Sequence, residues 1–324
     1  MILLKQAKIY LRLLSNYRKV SKIRSPYFFI FTMPLFGFFV YLFGSLLLKF
    51  NYKKLIVFFF DKKIFLSSIR FFDIESLRKV SQVLPRYNQI NEKLKSECVI
   101  NNISGEEILN NVKTNGYASL GKVFTNEECT NLIQYLENKS CYNSQTPMQS
   151  TGVKINFKSE NVMNSKDSSA YYAFDPNIIY HYKPLKNFLE NKNLNDLIDN
   201  YLNFKSSIYN SATWFNPPTK ERHYVYRLHK DHDDFKFIGL VIYWTKTDIS
   251  SGATRIVEKS HIKNNQTSEK YLEGSAGTIY LADFSALHAG TKVENNPRVT
   301  TFLRYGKSFN HCTVVDCWAG TPQV

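Results

Sequence analysis

The chain has 324 residues, of which 44% are apolar, 15% aromatic and 21% charged, enough for a sizeable core and far from the disordered class. Its net charge of +15 is confined in sequence: residues 1–63 hold twelve Lys/Arg against Asp61 alone, while the remainder holds thirty basic against twenty-six acidic side chains. A nucleic-acid-binding domain carries such an excess on its folded surface, whereas here it flanks an apolar run, which excludes nucleic acid as the expected partner.

From the N-terminus, residues 1–24 interleave Leu and Ile with seven bases and no acid, a pattern that suits an amphipathic helix on a lipid surface. Ser25–Leu48 follows without a charge, and its 24 residues meet the roughly 20 that a helix needs to cross a bilayer core. No small-residue cleavage site ends it, so a cleaved signal peptide is not expected. Pro34 lies near its middle and both flanks are basic, so a single crossing, a re-entrant hairpin and an aromatic-rich core helix of a soluble protein all remain open. The predicted organisation is a basic, hydrophobic membrane-associated segment over 1–63, a helical connector over 64–97 broken at Pro85, and a catalytic domain over 98–324. That domain is expected to face the cytoplasm, or the whole protein to be soluble and cytoplasmic if 25–48 is a core helix.

The five cysteines, Cys98, Cys129, Cys141, Cys312 and Cys317, are odd in number and show no C-x-x-C spacing. They suggest free thiols in a reducing compartment rather than a disulfide scaffold or zinc ribbon. Ser104–Glu107 and Thr125–Glu128 have the S/T-x-x-E form of a capping box and predict two helix starts, with the strand Tyr117–Val123 between them. After the second start, Cys129, Leu132, Ile133 and Leu136 form an apolar stripe. Residues 140–170 are rich in Ser, Asn and Lys and read as a long loop placed to cover a site. Beyond Ser207, Tyr224–Leu228, Phe237–Thr245, Ala253–Val257, Gly277–Leu281 and Val299–Tyr305 are β-rich runs separated by turns. The predicted fold is therefore mainly β with flanking helices, a double-stranded β-helix or jelly roll, plus the N-terminal hydrophobic helical segment.

Among the seven histidines, His229 and Asp231 form an H-x-D whose period of two directs both side chains to one face. His288 follows the strand at Gly277–Leu281 after a short turn and offers a third ligand. Two imidazoles and a carboxylate make the facial triad used by non-haem Fe(II) oxygenases, with three positions left open. Arg298 opens a strand on which Thr300 and Phe302 alternate with it. Its guanidinium suits the distal carboxylate of 2-oxoglutarate, to which Thr300 can add a hydroxyl donor. His232 with Asp234 is a competing H-x-D; His261, His223 and His311 read as structural or surface residues. Ser285 near Asp283 and His288 lacks a nucleophile-elbow sequence and does not read as a triad.

With these residues in place, the stretch from His229 to Arg304 resembles the phytanoyl-CoA dioxygenase family of Fe(II)/2-oxoglutarate oxygenases. The likeness lies in His229-Lys-Asp231, in Asp233–Phe237, in the strand ending Ile242-Tyr-Trp-Thr245 and in Thr247–His261 with its Ser260-His261 ending. Gly277–Asp283, His288 and Arg298 continue it, and Asn115–Leu120 and Thr125–Cys129 resemble the family's opening, so it covers about residues 104–306 and leaves 1–97 outside. Ala253 stands where a proline is usual, and Gly239 where a larger residue often lies on the iron-side sheet. The resemblance implies iron held by His229, Asp231 and His288, 2-oxoglutarate held by Arg298 and Thr300, and oxidative decarboxylation of that co-substrate by molecular oxygen coupled to hydroxylation of an unactivated carbon. Asp231 disfavours halogenation, since related halogenases lack the carboxylate. The substrate is expected to be a small molecule, a lipid or a glycan precursor. The reading from a different class is a membrane-tethered, non-catalytic binding protein with a degenerate oxygenase fold.

Overall fold

The computed structural model describes residues 79–80, 84, 99–143, 155–164, 169–219, 226–231, 234–262 and 268–307. The first described element is the two-stranded ribbon β1 (Val99–Ile100) and β2 (Ile103–Ser104), which leads into helix α1 (Gly105–Asn115). The Ser104 side chain accepts the amide of Glu107 at 3.2 Å, and Glu106 and Glu107 stand at the positive end of the helix dipole. Gly116 ends the helix at φ 94°, a left-handed conformation that glycine adopts without strain, and a Cβ there would lie 3.0 Å from the His261 ring. Strand β3 (Tyr117–Lys122) follows, then α2 (Asn126–Leu136). The predicted capping box is present in full: Glu128 N–H donates to Thr125 Oγ1 at 3.1 Å, and Thr125 N–H donates to Glu128 Oε2 at 2.8 Å. Cys129, Leu132 and Leu136 of its stripe are buried.

The segment 140–170, expected as a loop, contains β4 (Ser140–Asn143), β5 (Ile155–Asn156) and helix α3 (Ser159–Met163); residues 144–154 and 165–168 lie outside the described set. Strands of two to four residues are too short to show a period, but Cys141 and Phe157 are fully buried and anchor the segment. Next come β6 (Tyr172–Phe174), the helices α4 (Pro176–Tyr180), α5 (Lys183–Leu189) and α6 (Lys192–Leu202), and the long strand β7 (Ser207–Asn216). Asn191 caps α6 by accepting the amides of Asn193 and Leu194, and the helix buries Leu194, Leu197, Ile198, Tyr201 and Leu202.

The remaining strands are β8 (Ile238–Tyr243), β9 (Thr254–Val257), β10 (Glu269–Leu272), β11 (Thr278–Ala282), β12 (His288–Ala289) and β13 (Arg298–Gly306). They match four of the five predicted β-runs. The fifth, Tyr224–Leu228, does not form a strand over its described residues 226–228; the chain there joins a sheet only at His229, through a single bridge to His288.

Eight strands form one antiparallel sheet in the order β3-β11-β8-β13-β7-β6-β4-β5, and three form a second in the order β10-β9-β12. This mainly antiparallel two-sheet arrangement with helices is consistent with the expected jelly roll. The register separates the faces of the large sheet. Leu240, Ile242, Val299, Leu303 and Phe215 join the helices in the main core, whereas Val241, Tyr243, Ala282 and Phe302 face inward with Tyr209, Phe237 and Phe284. Ile256 and Leu272 of the small sheet pack on Tyr117 and Tyr280 of the large one. Strand β8 is buried at every residue, which explains its unbroken apolar sequence. Each fully buried Leu or Ile there contributes about 1.5–3 kcal/mol.

Val80 and Leu84, inside the expected connector 64–97, are fully buried members of the main core, one helical turn apart. The membrane expectation for 25–48 falls on residues outside the described set; among the described residues no helix is long and apolar enough to cross a membrane. Cys98, Cys312 and Cys317 also lie outside. Cys129 and Cys141 are buried free thiols whose pKa values burial pushes up to about 11 and about 12.

Candidate metal centre

Backbone hydrogen bonds bring the two candidate segments together. His229 N–H donates to His288 O and His288 N–H to His229 O, both at 2.9 Å, and Asp231 N–H donates to Phe284 O at 3.0 Å. Ser260 ties the same segments from below: its hydroxyl accepts the amide of Leu287 at 2.7 Å, and its carbonyl accepts Lys230 Nζ at 2.5 Å. The turn before His288 is held by Asp283, whose carboxylate accepts from the amide and hydroxyl of Ser285 and from Tyr201 Oη on α6 at 2.7 Å.

Within that frame the ligand atoms of His229, Asp231 and His288 all lie within 4.8 Å of one another. Each imidazole engages a backbone carbonyl through Nδ1, His229 with Arg227 at 2.7 Å and His288 with Ala286 at 3.0 Å. Because a carbonyl can only accept, Nδ1 carries the proton and the neutral ring presents its Nε2 lone pair. Those lone pairs face the Asp231 carboxylate at 3.7 Å from His229 and 3.5 Å from His288. Burial, followed by the neighbouring His288, lowers the pKa of His229 and favours the neutral, ligand-competent ring. Burial alone would raise the carboxyl pKa of Asp231, but the Arg304 guanidinium beside it holds it well below the usual carboxylate range. The cluster is therefore a convergence of electron pairs that a cation would satisfy, and its donors, two imidazole nitrogens and a carboxylate, suit iron.

Arg304 Nη2 donates to Asp231 Oδ2 at 2.7 Å. The sequence alone does not single out this arginine, although the alternation Arg298, Thr300, Phe302, Arg304 places it on the inward face and is the signal that finds it. Gly239 lies opposite Arg304 in the register. A Cβ at this glycine would meet Phe284 Cε2 at 2.4 Å, so the missing side chain makes room for a ring that packs on His288 with centroids 4.8 Å apart.

Arg298 and Thr300 are brought to the same inward face but not into the ligand cluster. Arg298 is only 3% exposed. Its guanidinium donates to Asn216 Oδ1 from Nε at 3.3 Å and from Nη2 at 3.1 Å, and to Gly252 O from Nη1. Among the described residues no carboxylate neutralises it. Thr300 is fully buried, and its hydroxyl has no hydrogen-bond partner among the described residues. A buried cation without a counter-ion next to an unused donor is a costly arrangement unless an anion completes it.

Of the competing residues, His232, His223 and His311 lie outside the described set. Asp234 is buried and accepts the amides of Phe235 at 2.7 Å and Lys307 at 3.0 Å, tying its loop to the end of β13. His261 Nε2 is 3.0 Å from Lys113 O, in the structural role expected of it.

No protein-family model matches the chain, and no curated protein matches it. Solved structures to which the chain is similar include the non-heme alpha ketoglutarate dependent carbocyclase SnoK from nogalamycin biosynthesis, at 12% identity over 70% of this chain and 95% of that one, with a TM-score of 0.48. HygX from Streptomyces hygroscopicus with nickel, 2-oxoglutarate and hygromycin B bound is 12% identical over 63% of this chain and 87% of its own, with a TM-score of 0.44. AviO1 from Streptomyces viridochromogenes Tue57 is 13% identical over 62% and 94%, with a TM-score of 0.42.

Proposed function

We propose that the chain is an Fe(II)/2-oxoglutarate-dependent dioxygenase with a jelly-roll core, of the kind the phytanoyl-CoA dioxygenase resemblance implies. The observation that carries this reading is a three-residue cluster of electron-pair donors joined through Arg304 to the inward face of β13, the face that also carries Arg298, a buried arginine with no counter-ion among the described residues. His229, Asp231 and His288 would hold the iron. When bound, the metal supplies the redox chemistry by which 2-oxoglutarate, O2 and a substrate C–H become succinate, CO2 and the hydroxylated product. The protein's own part is positional. Arg298 and Thr300 would receive the distal carboxylate of 2-oxoglutarate, and the carbonyls of Arg227 and Ala286 keep both Nε2 atoms unprotonated.

The inward face also carries an aromatic wall in which Trp214 stacks on Tyr171 at 4.7 Å and meets Phe302 at 5.2 Å, with Tyr142 beside them. Such a wall suits the C–H surface of a small molecule, an acyl chain or a sugar ring, which supports a lipid or glycan-precursor substrate. Membrane association through 25–48, with the catalytic domain on the cytoplasmic side, belongs to the same proposal.

The test is succinate formation from 2-oxoglutarate by the purified protein with added Fe(II), screened against candidate lipids and sugars, together with iron content after anaerobic loading. His229→Ala and Asp231→Ala should each lose both iron and turnover. Full iron stoichiometry and activity in both variants would remove the assignment.

A further inference from the structure

We propose that Arg304 is a positioning residue of this centre: by engaging Oδ2 of Asp231 it leaves Oδ1 to meet the metal, so the carboxylate binds through one oxygen and the positions needed by 2-oxoglutarate and O2 stay open. The inference rests on the metal reading above and adds a residue to it.

Its basis is geometric. The Arg304–Asp231 contact at 2.7 Å joins two largely buried side chains, 18% and 12% exposed, so solvent screens it little. A carboxylate with both oxygens free can swing to chelate a metal through both of them; a guanidinium fixed on a strand that occupies one lone pair of Oδ2, the oxygen 3.5 Å from His288 Nε2, biases the group against that swing. Arg304 is itself held. Its strand pairs with β8 at Gly239, the glycine whose missing Cβ admits the Phe284 ring, and the guanidinium carbon lies 5.8 Å over that ring. The same ring also packs on His288, with centroids 4.8 Å apart. One aromatic shelf thus supports a ligand directly and, through Arg304, orients a second. The side chain is fixed by strand pairing and ring packing, so the coordination mode is set by the fold.

The experiment loads the full chain with Co(II) in the absence of oxygen and records its visible spectrum, a report on coordination that needs no turnover, before and during titration with 2-oxoglutarate. Arg304→Met is expected to keep one Co(II) per chain, to show an altered spectrum because the freed Oδ2 joins the metal, and to bind 2-oxoglutarate about 10–100-fold more weakly. Arg304→Lys, which keeps a charged donor, should move both readouts back toward wild type. Circular dichroism of the metal-free forms checks folding; if Arg304→Met does not fold, Arg304→Gln takes its place, since a shorter neutral amide falls short of Oδ2. A folded variant lacking the charge but with the wild-type spectrum and wild-type 2-oxoglutarate affinity overturns the proposal. A wild-type chain that takes up no Co(II) overturns the metal reading itself, and the positioning role with it.

Discussion

Replacing Arg298 with methionine is expected to abolish tight 2-oxoglutarate binding while leaving the fold standing, an unusual result for a fully buried arginine. Among the described residues the guanidinium donates only to neutral acceptors, Asn216 Oδ1 and Gly252 O. Each such bond is worth about 1.5–3 kcal/mol at most, and losing them leaves two buried oxygens short of a donor. Against that loss stands the several kcal/mol that burial of an unneutralised cation costs, which an apolar side chain of similar length does not incur. The two effects nearly cancel, so apo stability should change by no more than about 2 kcal/mol in either direction. Binding has no such compensation. One lost charge-assisted contact of about 1.5–3 kcal/mol weakens the co-substrate roughly 10- to 150-fold. Calorimetric titration of 2-oxoglutarate into the Co(II)-loaded protein measures the second quantity, and denaturant unfolding of the apo protein the first. Equal affinities would refute the carboxylate clamp. A loss of apo stability beyond about 4 kcal/mol would show instead that Arg298 is a structural strut.

Gly239→Ala should destabilise the protein by about 1–3 kcal/mol through overpacking and lower metal affinity as well, because the displaced Phe284 ring is the one packed on His288; urea unfolding and metal titration read the two effects, and unchanged metal binding would uncouple Phe284 from the centre. Cys129 and Cys141 should resist alkylation at pH 8 until the chain unfolds, since a thiol pKa pushed from 9 to about 12 cuts the thiolate fraction of Cys141 roughly a thousandfold; peptide mapping that finds either thiol modified in the folded protein would contradict their burial. Full-length protein should sediment with membranes and resist high-salt extraction if Ser25–Leu48 inserts, and its recovery in the soluble fraction without detergent would make that run a core helix.

Much of the fold is legible in the sequence, and for a local reason. A capping box such as Thr125–Glu128, the stripe Cys129, Leu132 and Leu136, and runs such as Ile238–Tyr243 carry their information within a few residues, because hydrogen-bond satisfaction at a helix end and the side-chain period are set by the backbone nearby. The short strands at 140–143 and 155–156 escape that reading. Two to four residues hold too few repeats, and their place follows from burial of Cys141 and Phe157 against elements distant in sequence.

The candidate site divides in the same way. Residue types, the alternation on β13 and, against the competing H-x-D at His232, the family resemblance point to His229, Asp231, His288, Arg298 and Thr300 from sequence alone, and that alternation also contains Arg304. What only the tertiary structure decides is how they meet. The described residues before His229, 226–228, do not form the strand their composition suggests; a reciprocal pair of backbone bonds to His288 sets the two imidazoles together. Gly239 reads as a departure until the Phe284 ring is seen in the space it leaves. The absence of a carboxylate beside Arg298 among the described residues, and the grip of Arg304 on Asp231, depend on which strands lie side by side and in what register. Periodicity assigns a side chain to a face, but the partner it finds there is fixed by strand pairing between segments far apart in the chain, which no local pattern encodes.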